Sequence, residues 1–489
     1  MRATVPVRAI LVEQTDRTRQ SSKADIQRFI EESEHKITSL ESQINALIEL
    51  RDREGACLDS LRYIISPIRT LPIELLVEIF SLAIEDETHI EDAHRISQVC
   101  SDWRKVAHAT PRLWTRAIRV DLGSQKIDGR EQLYADGLEA WLARSAPLPV
   151  SISLELYREN SDPRILEEVL RIAPRFRSVH CPDFFPLRLI RRLAGCRLDS
   201  LEELELGLSD RDPNTSESPA LTIAPCLRKA RITIASDRQH FLIPWAQLTN
   251  LTLYCDSIDI ILDILAQCTT LIYASLLTSV WFLDVAPAQL TRAPFTLRHL
   301  HTLSLDFGYP DHARQFCGVV SAPALEKLHI DFSTMRGIHL EVPLTALLVG
   351  SSKITRLEIS SGPYAPTSHE LIVALGHTTH LTHLKLAYPH DYSFDDTLIE
   401  ALSCKDGVAA LVPHLHDLVL DDIIEDGFAT DALENMLVSR WRTDAEIRSG
   451  SSAVARWSHV VLRGRYSEQF MERMKLLQRK GLPLKLVID

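Results

Sequence analysis

The sequence predicts an α/β protein with three structured parts: an N-terminal helix, a module of three short helices and a long irregular array of strands and helices. Apolar residues recur at heptad spacing in residues 23–65, and short amphipathic segments follow in residues 66–116. A Leu-x-x-Leu-x-Leu frame then recurs within residues 117–489. Residues 1–22 carry no apolar period, so we expect them to form a mobile tail.

The composition is that of a globular protein with enough apolar residues for a large core. Hydrophobic residues make up 45% of the 489 positions and charged residues 25%, a balance that excludes wholesale disorder. This length fits two or three domains. The formal net charge is −12, so no basic field extends over the whole chain, and we expect no nucleic acid as a partner.

The hydropathy pattern and the cysteines predict a soluble protein of the cytoplasm, the nucleus or both. No stretch approaches about 18 uninterrupted apolar residues, and the N-terminal residues lack the pattern of a cleaved signal peptide, so we expect no membrane partner. The scatter of the cysteines fits reduced thiols better than disulfides or a zinc site. The nine cysteines are Cys57, Cys100, Cys181, Cys196, Cys226, Cys255, Cys268, Cys317 and Cys404.

Residues 23–65 have the spacing of one apolar seam along a helix, with charged residues between the apolar ones. The steps alternate between four and three residues, and the seam weakens at Arg51 and Glu54. Two interpretations remain open: a short coiled coil that supports self-association, or an amphipathic helix packed back on its own protein. The seam positions are Ile26, Ile30, Ser33, Ile37, Leu40, Ile44 and Leu47.

Residues 66–116 contain three short helical segments with more apolar side chains than so small a core needs. The first follows Pro72, and a proline early in a helix is well placed because its missing N–H would be unpaired there. An acidic loop of residues 85–92 precedes a second helix carrying residues 96–107, and a third begins at Pro111. A module of about 50 residues encloses little volume, so another surface must cover the surplus.

The motifs of this module resemble the F-box, the adaptor-binding module of cullin-RING ubiquitin ligases. LPIELLVEIF begins at Leu71, VCSDW at Val99 and PRLW at Pro111, in an order and spacing specific to that family. The arrangement is similar to that of F-box proteins abundant in mushroom-forming fungi. The resemblance implies docking of a Skp-family adaptor and, through it, of cullin and RING subunits. The implied adaptor-binding residues are Leu71, Pro72, Glu74, Leu75, Leu76, Ile79, Phe80, Val99, Cys100, Trp103, Leu113 and Trp114.

Some of these residues must form the module's own core rather than contact a partner. The candidates for that core are Leu75, Ile79, Val99 and Trp103. Adaptor binding then depends on the residues that we expect to be available to a partner, which are Leu71, Pro72, Glu74, Leu76, Phe80 and Trp114. The sequence departs from the family at Ser101-Asp102, where members commonly carry basic residues, and this departure bears on the strength of adaptor binding.

The recurring frame resembles that of leucine-rich repeats, with strict and looser copies spaced 21 to 42 residues apart. In the strict copies, residues other than Asn or Cys occupy the position where that family often places Asn or Cys. We therefore expect an irregular leucine-rich-repeat solenoid without a stacked Asn ladder, closed by a C-terminal cap. Strict copies begin at Leu201, Leu248, Leu300, Leu325, Ile354, Leu381 and Leu415. Looser copies begin at Phe176, Leu227, Leu271 and Trp457.

The two resemblances together predict a substrate-recognition adaptor subunit of an SCF-type ubiquitin ligase, with a non-ligase interaction scaffold as the alternative. The repeats would hold an unknown protein substrate, and the chain itself would not be an enzyme. Residues expected to line the exposed strand face are Glu203, Glu205, Thr252, Thr302, Ser304, Lys327, His329, Arg356, Glu358, His383, Lys385, Asp417 and Val419.

We predict no catalytic residues, no cofactor and no metal for this chain. The cluster of His377, His380 and His383 has a spacing that could suit a metal. Its place beside a predicted repeat strand favours structural or solvated histidines instead. No phosphate-binding glycine loop or hydrolase motif is present in the sequence.

Overall fold

The computed structural model comprises two compact units, Met1–Val106 and Ala107–Asp489. The predicted mobile tail, residues 1–22, lies outside the described residues. The residues that the structure describes are 23–86, 88–121, 131–155, 163–185, 187–208, 221, 223–234, 242–278, 292–335, 344–360, 362, 366–388, 393–405, 408–423, 425–441 and 454–487.

The described part of the first unit begins with a long helix, α1, over Lys23–Ile64, a span of 42 residues. Exposed ion pairs one turn apart support it, such as Lys36 Nζ with Glu32 Oε1 at 3.5 Å. None of its residues is buried, so its apolar seam faces solvent. The long N-terminal helix predicted from heptad spacing is confirmed. Within the described residues, no helix is long and apolar enough to cross a membrane.

The short helices that follow are α2 (Ile73–Ala83), α3 (His89–Gln98) and α4 (Ser101–His108). The second helix expected from the sequence is therefore two helices. Cys100 explains the break, because its Sγ accepts a hydrogen bond from the Trp103 N–H at 3.5 Å and so caps the start of α4. The predicted third helix is a short 3₁₀ turn, Pro111–Trp114, and a similar turn at Pro67–Thr70 precedes α2.

The second unit is built on one large sheet in which the described strands pair in parallel and follow the order of the sequence. Its fourteen strands are β1 (Ile118–Asp121), β2 (Val150–Glu155), β3 (Phe176–Phe185), β4 (Glu203–Leu208), β5 (Lys229–Ile234), β6 (Asn250–Cys255), β7 (Tyr273–Leu277), β9 (Thr302–Asp306), β11 (Lys327–Asp331), β12 (Arg356–Ser360), β13 (His383–Ala387), β14 (Asp417–Asp421), β15 (His459–Arg463) and β16 (Leu484–Val487). A small separate pair consists of β8 (Phe295–Thr296) and β10 (Val320–Ser321).

Helices supply most of the return connections that the structure describes between these parallel strands. Local sequence sets where they begin: at the start of the helix Ser368–Leu375, Thr367 Oγ1 accepts from the Glu370 N–H, and Glu370 Oε2 accepts from the Thr367 N–H at 2.7 Å. The helices that the described residues of this unit form are α5 (Glu131–Arg144), α6 (Pro163–Arg171), α7 (Leu187–Ala194), α8 (Ile258–Gln267), α9 (Pro310–Val319), α10 (Leu344–Val349), α11 (Ser368–Leu375), α12 (Asp396–Leu402), α13 (Thr430–Arg440) and α14 (Glu468–Arg479).

The core of this unit follows from the alternation of side chains along each strand. In β13, Leu384 and Leu386 are buried, whereas His383 and Lys385 are partly exposed. The pairing register places like positions beside one another, so that Leu384 lies between Leu357 and Leu418. Strand leucines therefore form continuous buried rows, and each of the predicted Leu-x-x-Leu-x-Leu frames contains a strand of the sheet.

A ladder of hydrogen bonds runs along the rim of the sheet, which we define as the residues immediately before the strands. Along the middle of the sheet, from Glu202 to His416, the rim carbonyls accept from two successive N–H groups of the next strand segment. Thr355 O, for example, accepts from Thr382 N at 2.9 Å and from His383 N at 3.0 Å. Several rim hydroxyls add a further bond to the preceding rim carbonyl. Those donors are Thr249 to Arg228 at 3.3 Å, Thr355 to Glu326 at 3.2 Å, Thr382 to Thr355 at 2.9 Å and Ser458 to His416 at 3.3 Å.

One charged residue is built into the core near the C-terminal end of the array. Arg440 is 1% exposed, and its guanidinium donates to the carbonyls of Leu402 at 2.8 Å and Val412 at 2.9 Å. Burial lowers the pKa of Arg440 to about 10, so it stays charged at neutral pH. It therefore ties backbone carbonyls together where α12 and the segment before β14 meet α13.

Candidate functional site

The helix α2 presents a stripe of apolar side chains to solvent. Leu75, Ile79 and Leu82 are 52%, 40% and 85% exposed. They are four and three residues apart, so they lie along one side of the helix. We call these three residues the α2 stripe. Exposed apolar side chains aligned on one helix face are typical of a surface that a partner covers.

The opposite side of α2 forms the core of the module. Leu76 and Phe80 are buried there with Ile84 and Ile96. The Phe80 ring lies 4.8 Å from that of Trp103, centroid to centroid, at an interplanar angle of 56°. Trp103 is only half-buried, so one part of the ring contacts Phe80 and another part remains accessible.

The expected division between core and partner surface is therefore reversed for α2. Leu76 and Phe80 were expected to be available to a partner and are buried, whereas Leu75 and Ile79 were expected in the core and are exposed. Both sets recur at helical spacing, so the sequence pattern fits either orientation of the helix. Packing of Phe80 against Trp103, 23 residues further along the chain, fixes the orientation.

The remaining residues of the predicted set within the first unit lie near the helix ends. Pro72 and Glu74 are exposed at the start of α2, and Leu71 is partly buried. Val99, expected in the core, is 56% exposed at the end of α3. Cys100 is partly buried and acts as the α4 cap described above.

Leu113 and Trp114 belong to the second compact unit, and both are buried. The Trp114 ring packs edge-on against Trp141 at a centroid distance of 4.8 Å, with the Arg144 guanidinium 4.8 Å from its centroid. Its Nε1–H donates to the Ala107 carbonyl at 2.8 Å. Trp114 was expected to be available to a partner, and the structure instead uses it to cover the start of the strand array.

The departure from the family at Asp102 has a local structural role. Its Oδ2 lies 3.8 Å from Arg69 Nη2, and its Oδ1 lies 4.0 Å from Lys105 Nζ. The Arg69 guanidinium in turn lies 4.8 Å from the centroid of the Tyr63 ring, near the end of α1. Asp102 therefore joins a polar cluster that connects α4 with the segment between α1 and α2.

The same cluster perturbs the thiol of Cys100. A hydrogen bond with Tyr63, together with the Trp103 N–H, holds the pKa of Cys100 below its usual value. The same bond raises the pKa of the Tyr63 hydroxyl. Because Cys100 caps α4 and contacts Tyr63, we interpret it as a residue that positions helices.

Three exposed apolar residues of the module were missing from the sequence-based set. Ile73, Leu82 and Ile90 are 63%, 85% and 41% exposed. The sequence could have identified Leu82, because it lies seven residues after Leu75 and so falls on the same face of the helix. Ile73 and Ile90 lie in the first turns of α2 and α3, where no apolar period marks them.

The second candidate surface is the solvent-exposed face of the large sheet, which we call the polar face. All thirteen residues predicted to line it lie on strands and are at least partly exposed. Register aligns them in rows across the sheet: Lys327, Arg356, His383 and Asp417 are consecutive neighbours in one row. His329, Glu358, Lys385 and Val419 form the next row.

Charges on the polar face are paired between or along neighbouring strands. Glu205 Oε2 lies 3.1 Å from His180 Nδ1, and Glu358 Oε1 lies 2.7 Å from Arg356 Nε. Between these charged regions, the face of β6, β7 and β9 is mostly neutral, with Asp306 at the end of β9 as a charged exception. Its neutral polar side chains include Asn250, Thr252, Tyr273, Ser275, Thr302 and Ser304. An open depression of about 220 Å³ lies on β4 to β7, between Glu203 and Tyr273.

Thr382, His383 and Asp417 lie next to one another in the hydroxyl, imidazole and carboxylate order of a side-chain relay that activates a nucleophile. Thr382 Oγ1 lies 2.7 Å from His383 Nδ1, and His383 Nε2 lies 2.6 Å from Asp417 Oδ2. The single proton of the Thr382 hydroxyl also has the Thr355 carbonyl as an acceptor at 2.9 Å. That carbonyl belongs to the rim ladder, so we assign these residues to the architecture of the rim.

Protonation of this group follows from its surroundings. Partial burial lowers the pKa of His383, although the Asp417 carboxylate opposes the shift. Burial would raise the pKa of Asp417, but the Ser458 hydrogen bond and the charge of His383 hold it below its usual value. Within the described part of the chain, no group of three His, Cys, Asp or Glu side chains could hold a metal ion.

Comparison with known proteins bears on the first of the two surfaces. No curated protein matches the chain. Domains of the F-box-like family are typically non-catalytic, act in protein interaction and bind Skp-family adaptors. A family model described as F-box-like matches residues 68–119, the segment that contains the α2 stripe, and the chain thus carries an F-box-like domain.

Proposed function

We propose that this chain is a substrate-recognition adaptor subunit of a cullin-RING ubiquitin ligase of the SCF type. The F-box-like domain docks a Skp-family adaptor, which brings the cullin and RING subunits. The α2 stripe is the observation that carries the proposal, because it places exposed apolar residues within a domain whose relatives bind that adaptor.

The α2 stripe is large enough to contribute much of the binding free energy of an adaptor. Fully burying one exposed Leu or Ile side chain contributes about 1.5–3 kcal/mol. Because Leu75, Ile79 and Leu82 are 52%, 40% and 85% exposed, burying the rest of all three contributes roughly 3–5 kcal/mol before the costs of association. Leu75, Ile79 and Leu82 project from one rigid helix, which lowers the entropy lost on binding. Val99 and the exposed part of Trp103 add to the adaptor surface in this proposal.

We further propose that the second unit is an irregular leucine-rich-repeat solenoid that holds a target protein on its polar face. Sequence-ordered parallel strands with helical returns and buried leucine rows support this assignment. The rim hydroxyls would take over part of the role that an Asn ladder plays in regular repeats. The chain breaks no bond itself; it holds the target near the ubiquitin-loaded enzyme, and so contributes proximity.

A non-ligase scaffold is the second candidate function, and Asp102 favours it. Asp102 is acidic at a position where related domains commonly carry a basic residue. Although it pairs with Arg69, its side chain remains 62% exposed. Weaker adaptor binding fits a scaffold that binds an adaptor, or none, and does not direct ubiquitination. Co-purification separates the two functions, since the ligase subunit must bring down both the adaptor and the cullin.

The direct test of adaptor docking is a pull-down by purified Skp-family adaptor with a matched pair of variants. Ile79→Asp places a charge in the α2 stripe and should weaken binding at least 100-fold. Val438→Asp makes the same kind of change on helix α13, at a residue 42% exposed against 40% for Ile79. It should bind the adaptor like the natural chain.

Both substituted residues are exposed, so both variants should keep the natural melting temperature within about 2 °C. Full binding by a folded Ile79→Asp chain would contradict the proposed docking surface.

A further inference from the structure

The helix α1 has a solvent-exposed apolar seam that is interrupted at Arg51 and Glu54. At 1.5 Å per residue its 42 residues extend about 63 Å. Leu40 and Leu47 are 55% and 65% exposed, and no residue of the helix is buried. A helix packed back on its own protein would bury one side, so this structure does not support that alternative.

The residue types on the seam are those of a coiled coil of two helices. With Ile30 at heptad position a, the next a positions hold Ile37 and Ile44, and the d positions that follow these three hold Ser33, Leu40 and Leu47. β-branched residues at a with leucine at d favour two helices in a parallel coiled coil over three or four. After the polar residues Arg51 and Glu54, apolar residues return to the seam with Leu58 at position a and Leu61 at position d.

We propose that α1 pairs with α1 of a second copy of this chain in a parallel, in-register coiled coil. The flanking charges support this orientation. In the assigned heptad Lys36 occupies position g and Glu41 the following position e, the two positions that meet between parallel helices. Two Lys36–Glu41 pairs, related by the twofold axis, would therefore cross the interface.

Polar residues on the seam fix the register. Arg51 and Glu54 occupy an a and a d position, and they face their own counterparts only when the helices are in register. A shift by one heptad would place Arg51 against Ile44 and Leu58, burying a charge among apolar side chains. The polar layer thus weakens the coil but selects one alignment.

The occupant is a second copy because the seam is complementary to itself. Ile-a and Leu-d layers match when identical helices align, and Lys36 of each helix finds Glu41 of the other. The proposal does not depend on the adaptor, since it uses only residues of α1. If the F-box-like domain binds an adaptor as proposed, a dimer carries two adaptor sites.

Light scattering on the full chain tests the association. We expect a mass of twice 55.3 kDa for the natural chain at micromolar concentration. Leu40→Asp at position d should give the single-chain mass, whereas Ser42→Asp, two residues away at the outer position f, should leave the dimer intact. A natural chain that stays monomeric at 100 micromolar or above, or equal effects of the two variants, would overturn the proposal.

Orientation is tested by charge exchange and by crosslinking. Lys36→Glu should weaken association about tenfold, and adding Glu41→Lys to it should restore the natural affinity. On oxidation, Leu40→Cys should form a disulfide that joins the introduced thiols of the two copies, identified by peptide mass, and Ser42→Cys should not. A dimer in which Leu40→Cys fails to crosslink and charge exchange has no effect would contradict the parallel arrangement.

Discussion

His312 is a buried histidine that the proposed functions do not use. It lies near the start of α9 at 4% exposure, with its ring 5.3 Å from that of Tyr309. Burial lowers the pKa of His312 to about 4, and its Nδ1 has no hydrogen-bond partner among the described residues. The folded chain therefore holds this imidazole neutral at a pH where the unfolded chain would protonate it.

The consequence is a loss of stability in mild acid. Between the unfolded pKa of about 6.5 and the folded value of about 4, the unfolded state binds one more proton, so stability falls as the pH falls. Lowering the pH from 7 to 5 should cost about 2 kcal/mol through this group. Urea unfolding of the strand array, followed by tryptophan fluorescence, measures the cost.

The variant His312→Gln provides the comparison. It should remove most of this pH dependence, whereas His377→Gln, at an exposed position, should retain it. Equal pH dependence in the natural chain and His312→Gln would show that His312 is not held neutral.

At the scale of elements, the rim ladder makes one strand depend on the next. The Thr382 hydroxyl contributes to this ladder through the Thr355 carbonyl, which already accepts two backbone N–H bonds. Thr382→Val keeps the shape and removes the hydroxyl, and should destabilise the array by about 1 kcal/mol. Thr379→Val, at an exposed position three residues earlier, should change stability by less than about 0.5 kcal/mol. Denaturant unfolding of both variants measures the difference.

Some elements could be predicted from the sequence because their signals are local and repeated. The strands follow from buried leucines two residues apart, as in Leu384 and Leu386, with the same spacing recurring along the chain. The long helix follows from its heptads. Both patterns depend on backbone geometry alone, so no knowledge of distant contacts was needed.

Other features depend on contacts that the pattern does not contain. The orientation of α2 is set by Phe80 packing on Trp103, and Trp114 is buried because Trp141, 27 residues later, packs against it. The rim hydroxyls were also not foreseen, since a threonine before a strand is common and its acceptor lies in the preceding repeat. These features required the tertiary structure.

At the scale of the whole molecule, the two compact units carry different surfaces. The first bears the α2 stripe and the α1 seam, both apolar and exposed. The second bears the polar face, with paired charges on either side of a mostly neutral centre. In the function proposed above, the α2 stripe contacts the Skp-family adaptor and the polar face holds the target.

Hydrogen exchange of the full chain, with and without a purified Skp-family adaptor, tests the central claim most directly. Adaptor binding should slow exchange of backbone amides in α2, the helix that carries Leu75, Ile79 and Leu82, by at least tenfold. Amides of the strands β4 to β14 should exchange at unchanged rates. An adaptor that binds without protecting α2, or that protects only the sheet, would contradict the claim that the F-box-like domain docks it.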